Sequence, residues 1–464
     1  MKIALFVPNT TYADWYNYPL LGLCYLKAVL EKSGHKCRIF DPRFHRWQKH
    51  ELITRIVDYK PDVVGLSAMT HEINAGAEIA SKIKKSLPNV PVTVGGCHVT
   101  ALPKQTLEEF PIFDYAVYGE GEKTFSELLQ HIENKNFSHL DKIRGIAFRA
   151  NGQTIITGAR EYLSSDELNA LPYPALDDYY PRNSTALKDK NAEYVMYATR
   201  GCPFNCAFCM QVLGRKVRQR SAKSTCDEIL YAENVYGAHT IRFRDEIFLF
   251  NNKNTLETLE LMIKLGISKR LRWSGQLRVN YVEPSLIALA KKAGCYRLGI
   301  GVESGDDNIL KNIGRGYTVE KARKAVDIIK KEGIHLGAYY ILGHPNETRQ
   351  TVKKTVDLVS ELNTNTAAVG LMVPYPGTRI YEMALNGQGG YRLLSQNWKD
   401  FDKYNSRCLE LENLSYDELV KWQKTAILNL YLKNFRFLDL TKYIWEKRRG
   451  IASMLLSKRK SINN

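Results

Sequence analysis

A chain of 464 residues is too long for one ordinary core and implies two or three domains. With 44% hydrophobic and 25% charged residues it suits a soluble protein, and no apolar run reaches spanning length, which sets aside an integral membrane protein. A net charge of +17 points to an anionic surface, ligand or cofactor, while no aromatic-stacking module supports nucleic acid.

The opening MKIALFVPNTTYADWY reads as a first strand and not a leader, so the cytoplasm is the expected compartment. Over residues 1–135 strand and helix patterns alternate: KIALFVP, a helix over 20–32, CRIFDP, a helix over 50–58, DVVGLSAM, a helix over 74–87, VPVTVGG and YAVYGEGE. Such alternation predicts an α/β fold with a doubly wound, Rossmann-like parallel sheet that binds ligands at the carboxyl ends of its strands. Those ends carry Ser67, Met69 and Thr70, then Gly95, Gly96 and His98, then Gly119, Glu120, Gly121 and Glu122. Glycine there lets a large ligand approach the backbone.

Residues 136–190 read as a linker, with a hairpin in RGIAFRANGQTIITG turned at Asn151-Gly152 and a stretch rich in Pro and Tyr, LPYPALDDYYPRN. Residues 191–385 read as a partial TIM-type barrel. They open on YVMYATRGCPFNCAFCM, where a strand runs into Cys202, Cys206 and Cys209 with the spacing C-x3-C-x2-C. Three thiolates on one loop can hold three irons of a 4Fe–4S cluster and leave the fourth open. A structural zinc needs a fourth protein ligand, and the next cysteine, Cys226, lies beyond a basic stretch. The other six cysteines read as small core residues. Further strands end in polar residues, as at an active-site mouth: Asp245 and Glu246, Gln276 and Arg278, Glu303 and Ser304, and the turn from Gly343 to Thr348. Residues 386–464 read as a helical region with a basic tail. From Lys442 to Asn464 seven basic residues face one acid, around the apolar Ile451, Met454, Leu455 and Leu456. A solvated tail and a peripheral contact with the inner membrane surface both fit this pattern.

The first half resembles the cobalamin-binding domain that precedes many radical S-adenosylmethionine (SAM) domains, through VVGLSAMT, VTVGGCHVTALP and YAVYGEGEKTF. The second half resembles the radical SAM domain through the cysteine trio and the strand ends that follow it. The resemblance implies three cofactors: a 4Fe–4S cluster, SAM and cobalamin. It places Phe208, Asp245, Glu246, Gln276, Arg278, Glu303, Ser304 and Gly343 around SAM, with the Gly343 turn bordering the adenine. It places the ten strand-end residues from Ser67 to Glu122 named above around cobalamin. The loop NTTYADWYNYPLLG has no histidine, so no axial His is expected from it. The activity implied is C-methylation of an unactivated carbon through a 5′-deoxyadenosyl radical. Cyclisation, ring contraction or oxidation without methyl transfer is the alternative, and a methylthiotransferase or a cobalamin-binding sensor fits less well. A small-molecule or lipid-like substrate and an electron donor such as flavodoxin or ferredoxin complete the expectation.

Overall fold

A computed structural model describes residues 1–8, 18–183, 187, 192–402 and 407–445. The loop in which no axial histidine is expected falls largely in 9–17, and the amphipathic basic tail in 446–464; both lie outside the described residues. The described residues form two large sheets, one in each lobe, and two short two-stranded ones.

The N-terminal lobe holds β1 (Lys2–Phe6), β2 (Lys36–Phe40), β3 (Val63–Ser67), β4 (Val92–Gly95), β5 (Tyr115–Val117), β6 (Ile146–Ala150) and β7 (Gln153–Ile156) in the order β2-β1-β3-β4-β5-β6-β7. The first five strands are parallel, and β1 is apolar and buried along four of its five residues, as a strand covered on both faces must be. The order reverses between β1 and β3, which places a topological switch point beside Leu5 and Leu66. The sequence reading treats the 146–156 hairpin as part of a linker. Here it extends the sheet, because β6 pairs antiparallel with β5 and leaves a mixed seven-stranded sheet. Asn151 and Gly152, both at positive φ, make its two-residue turn.

The second lobe follows with β8 (Tyr194–Met196), β9 (Thr199–Arg200), β10 (Arg218–Gln219), β11 (Thr240–Phe243), β12 (Arg272–Leu277), β13 (Cys295–Glu303), β14 (His335–Leu342) and β15 (Thr366–Leu371). Six of these form a parallel sheet in the order β15-β14-β13-β12-β11-β8, the β/α succession of a barrel left open between its end strands. Helix starts are set by side-chain caps, such as Asp306 before the 307–312 helix and Thr348 before the 349–362 helix. The C-terminal region is not wholly helical: β16 (Tyr391–Leu393) and β17 (Leu409–Leu411) pair antiparallel before the helix Tyr416–Leu432. That helix packs on β15 and on the 349–362 helix.

Candidate active site

The three thiols sit on a loop between β9 and β10 that is fixed by its neighbours. Cys202 N–H donates to the Gly214 carbonyl (3.1 Å), and Ala207 N–H to Ile313 O (3.0 Å). Gly314, at positive φ, lets the loop pass so close that a β-carbon there would lie 2.9 Å from Asn205 O. Two guanidinium groups reach Cys206: Arg278 Nη1 lies 3.3 Å and Arg315 Nη1 3.4 Å from its Sγ. Arg278 is also stacked on the Phe204 ring at 3.6 Å, and it donates to Asn280 and to the carbonyls of Gly314 and Arg315. Arg278 thus spends its donors on the cluster loop and the 314–315 turn. No three His, Cys, Asp or Glu side chains among the described residues converge on a single ion. Three thiols on one loop, with no four-ligand set among the described residues, fit a 4Fe–4S cluster and not zinc.

Around this loop the strand ends divide into two groups. Gln276, Glu303 and Phe208 stay near the mouth. Gln276 Nε2 donates to the Tyr339 hydroxyl (3.3 Å), and its amide occupies the space a side chain at Gly299 would need. Glu303 is buried, pairs with Arg315 at 3.4 Å, and holds φ at 66°, a left-handed conformation costly for a residue with a β-carbon. A β-bulge between Gly301 and Glu303 accommodates it, and the Glu303 and Arg315 side-chain ends fill the space a β-carbon at 301 would take. Glu246 is exposed and lies within electrostatic reach of Cys202 and Cys209. Asp245 and Ser304 instead serve the backbone. Asp245 accepts from the N–H groups of Ala198 and Thr199, and burial lifts its carboxyl to about 7. Ser304 Oγ meets Thr355 Oγ1 (3.3 Å) and accepts from Asp306 N–H.

The Gly343 turn brings in two residues that carry more than the sequence suggests. Glu347 Oε2 accepts from the N–H groups of Gly343 (2.6 Å) and His344 (3.0 Å), its Oε1 has no partner, and burial raises it to about 7. His344 is fully buried beside Phe208, with both ring nitrogens unpartnered and its pKa depressed to about 4 by desolvation, so it is neutral.

In the N-terminal lobe a cavity of about 190 Å³ opens at the switch point. Of the expected residues, Ser67, Gly95, Gly96, Gly119, Glu120, Gly121 and Glu122 line it; Leu5, Gly65, Thr93 and Phe125 join them. Gly65, a glycine inside a strand, was the available signal for this close approach. Thr93 Oγ1, in the cavity wall, is buried without a partner, and Gly119 faces open space. An unpaired hydroxyl in a glycine-edged cavity fits a large polar cofactor such as cobalamin. Met69, Thr70 and His98 do not line the cavity. Met69 N–H donates to Glu72, and His98 lies under Trp398 of the C-terminal region, ring centroids 5.0 Å apart.

The two lobes meet through buried charge. Arg200 and Arg218 face each other across the β9–β10 pair, a placement that repels unless an acid stands between them. Glu120 supplies it: its carboxylate takes Arg200 Nη1 at 3.0 Å and Arg218 Nη1 at 2.8 Å, while Glu122 takes Arg200 Nη2 at 2.7 Å. Tyr25 and Tyr197 lie against the Arg200 guanidinium. Glu120 and Glu122 therefore border the cofactor cavity and also clamp the strand that leads into Cys202. Nothing in the local sequence reveals this partnership, which spans about 80 residues.

Cluster loop, barrel mouth and cofactor cavity together define a two-lobed radical enzyme. Family models agree: the B12 binding domain matches residues 14–129 and the Radical SAM superfamily residues 196–359. The uncharacterized methyltransferase PH0819 of Pyrococcus horikoshii is 30% identical over 93% of this chain and 93% of its own. The anaerobic magnesium-protoporphyrin IX monomethyl ester cyclase of Cereibacter sphaeroides is 26% identical over 92% of this chain and 69% of its own. The fold of the radical SAM methyltransferase TsrM from Kitasatospora setae superposes with a TM-score of 0.71 at 19% identity, covering 93% of this chain and 88% of that one. The chain belongs to the family of cobalamin-binding radical SAM enzymes.

Proposed function

We propose that the protein transfers a methyl group to an unactivated carbon of a small or lipid-like acceptor. The observation that carries this reading is the shared border: Glu120 and Glu122 edge the cofactor cavity and bind Arg200, two residues before the cluster cysteine Cys202. When bound, the cluster and SAM supply a 5′-deoxyadenosyl radical and cobalamin supplies the methyl group. Cys202, Cys206 and Cys209 would hold the cluster, and the residues lining the switch-point cavity would hold cobalamin. Arg278 and Arg315 direct N–H groups at Cys206, and hydrogen bonds to cluster sulfurs tune its potential. Neutral His344 is buried against the ring of Phe208 on the cluster loop and adds no charge there. A low-potential flavodoxin or ferredoxin belongs to this reading as the electron source.

The test is anaerobic turnover of the reconstituted holoenzyme with deuteromethyl-labelled SAM and pooled small-molecule and lipid acceptors. Methyl transfer yields S-adenosylhomocysteine, 5′-deoxyadenosine and a product heavier by one labelled methyl. Acceptor-dependent 5′-deoxyadenosine with an unlabelled product would replace methylation by cyclisation or oxidation, a reading favoured only by the relationship to the cyclase.

A further inference from the structure

Beyond the helix Tyr416–Leu432 the chain turns and becomes helical again over 437–445, at the far end of the barrel from the site. Arg436 fixes the turn. Its guanidinium donates to the carbonyls of Thr364 and Asn365, both at 2.8 Å, immediately before β15 begins at Thr366. The segment therefore sits at the amino ends of the barrel strands, whereas the mouth lies at their carboxyl ends. Leu440 and Tyr443 pack inward on the core. The outward side is apolar: Leu438 is 86% exposed, Trp445 60%, Phe437 55% and Ile444 52%. Phe435, 81% exposed, is displayed from a left-handed turn (φ 56°) that a bulky residue rarely adopts. Soluble monomers rarely gather so many large apolar side chains on one surface without a use.

The charge that accompanies the patch is net positive. Lys433, Arg436 and Lys442 stand there against Asp439, which pairs with Arg436 at 2.7 Å, while Lys433 reaches Asp357 at 3.4 Å; in the sequence Lys447, Arg448 and Arg449 follow against the single acid Glu446. We infer that the 435–445 surface docks the enzyme on an anionic lipid bilayer, with Phe435, Leu438, Ile444 and Trp445 entering the interface and the basic residues meeting lipid headgroups. Aromatic and aliphatic side chains flanked by Lys and Arg suit that boundary, where apolar burial and attraction to anionic lipid add. A two-fold contact with a second copy would bring surfaces of the same net positive charge face to face. The docking face lies away from the mouth, so binding leaves the site accessible.

The test is flotation of the reconstituted full chain with phosphatidylglycerol–phosphatidylcholine vesicles and with phosphatidylcholine vesicles alone. The wild type is expected to float with the anionic vesicles, weakly with the neutral ones, and less as salt rises. Leu438→Asp with Trp445→Asp should lower the anionic partition by about tenfold or more with an unchanged melting temperature, both positions being exposed. Lys442→Glu with Arg448→Glu should weaken binding to anionic vesicles alone. Equal binding by the double-aspartate variant, or no binding by the wild type, would overturn the inference. So would a dimer seen by light scattering that Leu438→Asp dissociates while vesicles bind neither form.

Discussion

The barrel rim and the edge of the N-terminal sheet both serve a cofactor, yet they are built on opposite terms. The rim is crowded and charged: Arg278, Arg315 and Glu303 are buried there with their donors and acceptors engaged, and glycine at 301 and 314 lets side chains and backbone close in. The N-terminal edge is open and underbonded: Gly119 faces empty space, and the hydroxyl of Thr93 has no partner. An inorganic cluster is gripped by covalent ligands and needs its surroundings fixed beforehand. An organic cofactor is held by fit, and its site keeps room and unspent hydrogen bonds.

The contrast can be broken most severely at the thiols. Replacing Cys202, Cys206 and Cys209 together by alanine is expected to reduce reductive SAM cleavage to background while cobalamin still binds, measured as 5′-deoxyadenosine and as cobalamin per chain. Persistent 5′-deoxyadenosine would refute the cluster assignment. Next comes the junction between the two regions. Arg200→Met leaves Glu122 buried without its cation and Glu120 with Arg218 alone, a change that costs about 3–5 kcal/mol, read by urea denaturation. Arg200→Lys keeps the charge but not the fork that serves both carboxylates, and should lose less.

The N-terminal edge is probed by pH. His98 is buried, and desolvation depresses its pKa to about 4, below the ordinary value of about 6.5. Between those values the unfolded chain takes up the proton and the folded chain does not, so stability is whole above about pH 6.5 and falls toward pH 4. The loss reaches about 3 kcal/mol per such histidine. His98→Gln should make the acid limb of melting temperature against pH shallower, and His344 contributes a slope of the same sign that this variant leaves in place. The smallest expected effect is that of Gly96→Ala. Its φ of 103° and a β-carbon 2.6 Å from the Ala68 carbonyl cost about 1–3 kcal/mol, and cobalamin per chain should fall with cluster content unchanged.

What the sequence discloses follows the same division. The cysteine trio is local in the chain, and its chemistry depends on spacing, so Cys202, Cys206 and Cys209 stand out. The N-terminal strands announce themselves through apolar runs closed by Gly95-Gly96 and Gly119, and seven of the ten residues expected around cobalamin line the cavity. The rim arginines are hidden because a buried charge and a surface charge look alike in sequence; Arg200, Arg218 and Arg315 acquire meaning only from partners elsewhere in the fold. The hairpin at 146–156 shows its turn but not its pairing, since nothing in its alternation says that β5 offers a free edge. Asp245 and Ser304 stand at strand ends that suggest cofactor contact, whereas folding commits them to backbone N–H groups and a neighbouring hydroxyl.

The Arg200 clamp has a consequence for engineering. Each arm of that contact comes from a different lobe, so a chimera that grafts another protein's N-terminal lobe onto this barrel would inherit Arg200 and Arg218 without the carboxylates they were matched to. Lobes from relatives carrying acids at the positions of Glu120 and Glu122 would keep this contact. Others would need those two positions rebuilt before the halves could share a cofactor gap of the right width.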